Sequence, residues 1–158
     1  MAKEASIYRK YREDAGLTRE RASELLEWIS PDRIDRIERG AVPHPDEVLQ
    51  MAERYKRPEL CNYYCTHSCR IGQALIPEVQ SKDLAIIVLE LLSTLNTLEK
   101  EKNRLIEITA DGSITEDEYH DFAVIQKQLE SISMSVDSLK LWIRKTVADG
   151  KLRPDALN

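Results

Sequence analysis

Four side chains that can ligate a metal lie within nine residues in the middle of the chain: Cys61, Cys65, His67 and Cys69. Thiolates and imidazole in such a pattern are the donors that hold zinc, as a Cys3His site, or an iron–sulfur cluster. In a continuous helix the three cysteines share one face and His67 points elsewhere. All four converge only if a helix begun at Pro58 ends near Cys65 and the chain then curls, which Gly72 is well placed to allow.

Two other interpretations of this cysteine cluster stay open. Buried cysteine is common in protein interiors, so Cys61 and Cys65 can be small packing residues, with Cys69 left free. Alternatively, two of the thiols form a reversible disulfide that responds to oxidation. A metal centre or a disulfide here would lie between the two larger parts of the chain, where it could alter their spacing.

A second chemical pattern lies between Glu107 and Glu118. Gly112, Ile114 and Glu118 are in register with the later half of an EF-hand calcium loop. Glu107 stands at the first ligand position instead of Asp, and Thr109 at the third, which lowers the charge and the fit. The same residues also make a helix stop, a turn and a capping box without any ion. We therefore do not expect calcium.

The first part of the chain carries start and stop signals for several short helices. Gly16 stops the first helix, Thr18 caps the second, and Ser30 followed by Pro31 starts the third. A loop at 42–45 precedes the fourth. Two short helices separated by a tight turn predict a helix-turn-helix, whose second helix lies in the major groove of DNA.

The charge of this region is concentrated on the same two helices. Residues 1–58 hold 12 Lys or Arg and 12 Asp or Glu, so the whole net charge of −5 comes from residues 59–158. Five arginines lie on the two helices: Arg19, Arg21, Arg33, Arg36 and Arg39. We expect their neighbouring acids, Glu24, Glu27 and Asp35, to point away from the duplex. The local charge therefore favours DNA binding, although the chain as a whole is too acidic to coat nucleic acid.

The segments 15–20 and 29–40, followed by Pro43, resemble the lambda-repressor-like (Cro-type, XRE) helix-turn-helix family. The run Ile34-Asp35-Arg36-Ile37-Glu38-Arg39-Gly40 is a specific part of this resemblance, which extends from residue 3 to about 58. The resemblance implies an all-α, five-helix DNA-binding domain. It also implies that the protein regulates transcription by binding double-stranded DNA at particular sequences.

The resemblance also implies a role for each matched position. Arg19, at the start of the second helix, would hold a phosphate. Four positions would face the groove: Pro31, Asp32, Arg33 and Arg36. Arg36 suits guanine O6 and N7, and Asp32 suits cytosine N4. Arg39 and the loop at His44 would lie near the DNA backbone.

Glu38 and the turn before the third helix complete the comparison with this family. Glu38 matches a glutamate that holds the domain together by a buried polar contact rather than touching DNA. The turn is normally shorter and contains glycine, whereas 26–30 has one extra residue and no glycine. We expect Trp28 to cover this turn as a hydrophobic lid. The departure bears on the angle at which the third helix meets DNA.

The last part of the chain is predicted to form two long helices that break at Asp111–Gly112. Leucines recur every seven residues in the first: Leu84, Leu91, Leu98 and Leu105. Four residues widen that stripe: Ile87, Val88, Leu95 and Ile108. After a capping box at Thr115 and Glu118, spacings of three and four recur in the second: Phe122, Ile125, Leu129, Ile132, Val136, Leu139, Ile143 and Thr146. These seams predict a long antiparallel helical hairpin of coiled-coil type.

Further apolar residues lie off these seams: Ile86, Leu92, Met134 and Trp142. We expect a homodimer through the hairpin, because each helix-turn-helix contacts only a few base pairs and two-fold symmetry doubles the contacts. The alternative is that the hairpin packs only on its own DNA-binding domain. The chain thus divides into a DNA-binding domain at 1–58, a Cys-containing connector at 59–80 and a hairpin at 81–158.

Composition limits the classes of function. The longest apolar run, 84–92, is broken by Glu90, so we expect no membrane contact. Three cysteines without an apolar signal core at the start favour the cytoplasm. Phosphate-binding glycine loops and nucleophile elbows are missing, so we expect no enzyme. The predicted function is a dimeric transcription regulator, responsive to metal or redox state if the cysteines act. The alternative is an antitoxin-like or adaptor module whose helix-turn-helix is architectural.

Overall fold

The computed structural model describes residues 6–110, 112–153 and 155. In this part of the chain there are eight helices and no strand, which confirms the all-α class. The helices are α1 Ile7–Asp14, α2 Arg19–Leu26, α3 Pro31–Glu38, α4 Pro45–Arg54, α5 Glu59–His67, α6 Arg70–Leu75, α7 Leu84–Thr109 and α8 Tyr119–Ala148. They form two compact units, one from residues 1–78 and 143–158 and the other from residues 79–142.

Side-chain caps set the starts of α2 and α3. The Thr18 hydroxyl accepts a hydrogen bond from the Arg21 backbone N–H at 3.3 Å, and α2 follows it. The Ser30 hydroxyl accepts from the Arg33 N–H at 3.2 Å, and Pro31 is the first residue of α3. Both starts were predicted, because a capping hydroxyl satisfies an N–H that the helix leaves free.

The core of the first unit lies among α2, α3, α4 and α5. Its fully buried side chains are Ala22, Leu26, Ile29, Ile34, Ile37, Val48, Met51 and Leu60. Leu60 belongs to α5, so this fifth helix completes the core. Because Ile34 and Ile37 face inward, the opposite side of α3 faces solvent.

The second unit contains α7, the segment that follows it and α8 as far as Trp142. The two long helices pack together, as predicted, and near the turn Arg104 Nε on α7 donates to Asp121 Oδ2 on α8 at 2.6 Å. The predicted capping box is present only in part. Thr115 N–H and Oγ1 both donate to Glu118 Oε2, but the Glu118 N–H donates to the Thr115 backbone carbonyl, and α8 begins only at Tyr119. Asp111, part of the predicted break and of the EF-hand-like pattern, lies outside the described residues.

The predicted seams are only partly buried. Ile87, Ile108 and Ile125 are fully buried, as expected for seam residues. In contrast, Leu84, Val88, Leu95 and Leu129 are exposed, and the middle of α8 buries Ser135 and Ser138 instead. The predicted seams were therefore wrong at these positions, because the side of an α-helix that faces its partner drifts relative to a fixed seven-residue repeat along its length.

None of the helices in the described ranges combines the length and apolarity needed to cross a membrane.

Candidate nucleic-acid interface

The solvent-exposed side of α3 presents Asp32, Arg36 and Arg39, which we call the reading face. These residues follow one another at spacings of four and three, so they share one side of the helix. All three are exposed. Pro31 is half-buried at the start of the same helix. The reading face is therefore the part of α3 that can meet a ligand.

Arg33 does not share the reading face, because a carboxylate on α4 holds it. Its Nε and one terminal nitrogen donate to the two Glu47 oxygens at 2.7 and 2.6 Å. That nitrogen also donates to the Val42 carbonyl at 3.2 Å. Burial alone would raise the pKa of Glu47, but the hydrogen bonds from Arg33 and from the His44 backbone N–H outweigh it and lower the pKa. Arg33 thus braces α3 against α4.

Arg19 is likewise held inside the domain. Its Nε donates to Glu38 Oε2 at 2.9 Å, and a terminal nitrogen lies 3.1 Å from Asp35 Oδ1. Arg12 on α1 occupies the other side of Glu38, with Nε 2.6 Å from Oε1. Arg12 and Glu38 are both buried, and the hydrogen bond that Arg12 donates to Glu38 raises the pKa of Arg12. Glu38 therefore has the structural role that the family resemblance implied.

The acids near the reading face do not all point away from it. Asp35 pairs with Arg39 at 2.9 Å as well as with Arg19, contrary to expectation. Glu24 pairs with Arg21 at 2.7 Å. Arg36 is different: its Nε makes only a 3.4 Å contact with the Asp32 backbone carbonyl. Within the described residues, Arg36 is thus the one arginine of α2 and α3 without a carboxylate partner.

The turn between α2 and α3 has an uncommon backbone. Glu27 has φ 62° and ψ −56°, and the Trp28 N–H donates to the Leu26 carbonyl at 2.7 Å. This is a γ-turn of the rare positive-φ kind. Trp28 is 57% exposed, so the lid expected at this residue was wrong, and Ile29 fills the core instead. The Glu27 side chain reaches Arg54 on α4 at 3.2 Å.

His44 lies in the loop that follows α3. Its side chain is exposed and its backbone N–H donates to Glu47 Oε2 at 2.7 Å, immediately before α4. Sequence reasoning missed both Glu47 and Arg12 as supports of this site. The spacing of three residues from His44 to Glu47 is a capping signal that could have identified the first. Arg12 follows the buried Tyr8 by four residues on α1, which is a signal for its inward position.

The cysteine cluster is distributed over two helices. Cys61, Cys65 and His67 are on α5, whereas Cys69 precedes α6 and its Sγ accepts from the Gly72 N–H at 3.4 Å. The His67 ring stacks on Tyr63 with 4.1 Å between centroids.

The chain curls after α5 as the metal hypothesis required. Even so, across the described ranges no three His, Cys, Asp or Glu side chains are gathered to hold one metal. Burial and the Cys65 thiol raise the pKa of Cys61. This geometry gives the zinc and iron–sulfur predictions no support.

Comparisons with known proteins identify the first unit. No curated protein and no solved structure matches the chain. One protein family does: its description is "Helix-turn-helix domain", and the match covers residues 9–60. This range begins at Arg9 within α1 and ends at Leu60 of α5, the residue that completes the core. The N-terminal part of the chain is therefore a helix-turn-helix domain of the XRE, or lambda-repressor-like, kind.

Proposed function

We propose that this protein is a homodimeric, cytoplasmic regulator of transcription that binds specific DNA sequences. The observation that carries the proposal is the free guanidinium of Arg36 on the exposed face of α3, within a helix-turn-helix domain. A planar guanidinium with two unoccupied donors pairs with O6 and N7 of guanine in the major groove. The function is therefore binding rather than catalysis.

The reading face sets how many base pairs one domain recognises. Asp32 and Arg36 lie about 6 Å apart along the helix axis, which corresponds to roughly two base-pair steps. Arg36 donates to a guanine and Asp32 accepts from a cytosine. Arg39, at the other end of the face, and His44, in the following loop, lie near the phosphates. One domain thus selects few base pairs.

Arg36→Ala tests the proposal on duplexes selected by the wild-type protein from a random pool. We expect a loss of about 1–3 kcal/mol of binding free energy, with relaxed preference at one base pair. Lys140→Ala is the control, since it also removes one cation but lies on α8 outside the matched domain. Equal affinity of wild type and Arg36→Ala would refute base reading by this face.

The second unit supplies the proposed dimer contact. Leu84, Leu95 and Ile106 on α7 are exposed by 39%, 43% and 59%. They are spaced by eleven residues, about three helical turns, and so share one face. A two-fold axis through Leu95 brings Leu84 opposite Ile106 of a second copy. The apolar row of Leu84, Leu95 and Ile106 can therefore pack against the same row of that copy. We therefore assign residues 81–158 to dimerisation and 59–80 to the connection.

One observation favours the alternative of a protein-interaction module. The ion pairs of Arg19, Arg21, Arg33 and Arg39 leave little free positive charge to attract phosphates. In that case the wild-type protein enriches no duplex from the pool, and the helix-turn-helix fold is architectural. The arrangement of the described residues gives a metal response no support. A redox response of the free thiols of Cys61, Cys65 and Cys69 stays a prediction.

A further inference from the structure

The turn before α3 turns a large aromatic side chain out to solvent. The positive φ of Glu27 and the hydrogen bond from Trp28 N–H to the Leu26 carbonyl reverse the chain within one residue. As a result Ile29 is 1% exposed and Trp28 is 57% exposed. Within the described ranges, the indole Nε1–H of Trp28 makes no hydrogen bond. An aromatic ring and an N–H donor are both left available at this corner.

The position of Trp28 relative to α3 limits what it can meet. Trp28 precedes Pro31, the first residue of α3, by only three positions. In a helix-turn-helix the first turns of the second helix enter the major groove, so the preceding turn lies where the groove meets the sugar–phosphate strand. Indole has an apolar face that packs on deoxyribose and one N–H that suits a phosphate oxygen.

We infer that Trp28 binds the sugar–phosphate backbone at the edge of the groove that α3 occupies. Its ring packs against a deoxyribose, and its Nε1–H donates to a phosphate oxygen. This assignment rests on the proposed function, since it requires α3 to enter the major groove. It gives the molecule a backbone anchor next to the reading face that does not depend on a basic side chain. Such a contact positions the domain and carries no sequence information directly.

Trp28→Ala and Trp28→Phe test the inference on the duplexes selected by wild type and on a non-selected duplex. A hydrogen bond to a charged group is worth enough to predict about tenfold or greater weakening for Trp28→Ala. The loss should be similar on every duplex, because a backbone contact is not sequence-specific. Trp28→Phe keeps an aromatic ring but lacks the N–H, so its DNA affinity should lie between those of wild type and Trp28→Ala. Leu75→Ala is the matched control, a large exposed apolar residue on α6 beyond the matched domain.

Tryptophan fluorescence gives an independent readout. Adding duplex should change the emission of wild type, and this change should vanish in Trp28→Phe, whose remaining tryptophan is Trp142. Circular dichroism of each variant checks that the helices are intact.

The outcomes separate this inference from the proposed function. Suppose that Arg36→Ala weakens DNA binding, while the Trp28 variants bind DNA as wild type does and keep its fluorescence response. That result overturns this inference and leaves the proposed function standing. A loss confined to some sequences overturns the backbone assignment in favour of a base contact. Failure of wild type to enrich any duplex overturns both.

Discussion

Arg36 differs from the other arginines of α2 and α3 in what surrounds its guanidinium. Arg33 is held by two oxygens of the buried Glu47, and Arg19 by the buried Glu38. Moving Arg33 to DNA would leave the buried Glu47 without its arginine, which is strongly unfavourable. Moving Arg19 would leave the buried Glu38 with Arg12 alone. Arg36 has only a long backbone contact to give up. Under the proposed function, Arg36 is therefore the arginine of these two helices that is available to contact a base.

At the same scale, Glu27→Gly should stabilise the protein. The positive φ of Glu27 costs a non-glycine residue of the order of 1–3 kcal/mol, and glycine adopts it freely. The exposed ion pair to Arg54 that would be lost contributes less than about 1 kcal/mol. We expect a net gain of about 1 kcal/mol in the free energy of unfolding, measured by urea denaturation.

Glu27→Ala is the control for this prediction. It removes the same ion pair but keeps a Cβ at the strained position, so it should not stabilise the protein. A loss of stability in Glu27→Gly would show that the turn is not strained.

At the scale of elements, the buried pair of Arg12 and Glu38 joins α1 to α3, and Arg19 adds α2. Glu38→Leu should destabilise the domain by about 3–5 kcal/mol, because it leaves the Arg12 charge buried without a partner. Arg12→Met combined with Glu38→Leu should be less destabilising than Glu38→Leu alone, since both buried charges are then gone. Urea denaturation of the three proteins measures this difference.

The exposed pair of Arg21 and Glu24 is the matched control. Glu24→Gln should change the stability by less than about 1 kcal/mol. Stability losses that simply add in the double variant would argue against direct coupling between Arg12 and Glu38.

The packing of α6 on α5 depends on Gly72. A Cβ at this position would lie 2.2 Å from the carbonyl oxygen of Cys65, which is backbone and cannot rotate away. Gly72→Ala should therefore force the two helices apart and cost roughly 1–3 kcal/mol, as overpacking does. Thermal denaturation measures the cost, and Ile71→Ala on the exposed side of α6 should be nearly neutral. An unchanged melting temperature in Gly72→Ala would contradict this close approach.

Local signals account for the parts of the fold that the sequence predicts. The starts of α2 and α3 follow from Thr18, Ser30 and Pro31, because a cap acts within three residues. The partner of Arg33 could not be predicted in this way. Glu47 lies 14 residues further on, and only the packing of α4 brings it near.

Long-range packing also decided the features that were predicted wrongly. Trp28 was expected to cover the turn as a hydrophobic lid, but the γ-turn at Glu27 leaves it exposed and buries Ile29. Ser135 and Ser138 on α8 are buried although no apolar periodicity marks them. Such burial depends on where neighbouring helices lie, which single-chain periodicity does not contain.

At the scale of the whole molecule, the surplus negative charge and the exposed apolar row on α7 both lie outside residues 1–58. Residues 1–58 are neutral, and the surplus acid of the chain lies in residues 59–158. Under the proposed function, a domain of so little net charge has modest affinity for any duplex, so selective binding calls for two domains on one site. The exposed apolar row on α7 is what would join them, and its symmetry can be tested directly.

Cysteine cross-linking tests the two-fold pairing of α7, with the three native cysteines replaced by serine. Leu95→Cys should form a disulfide-linked dimer on mild oxidation, because residue 95 meets its own copy on the axis. Leu84→Cys alone should not cross-link, but a mixture of Leu84→Cys and Ile106→Cys should. Leu95→Glu, with native cysteines, should shift the protein to monomer in sedimentation equilibrium and weaken DNA binding, whereas Leu75→Glu on α6 should do neither. Self-cross-linking of Leu84→Cys would instead indicate parallel pairing, and a monomeric wild type would exclude the dimer.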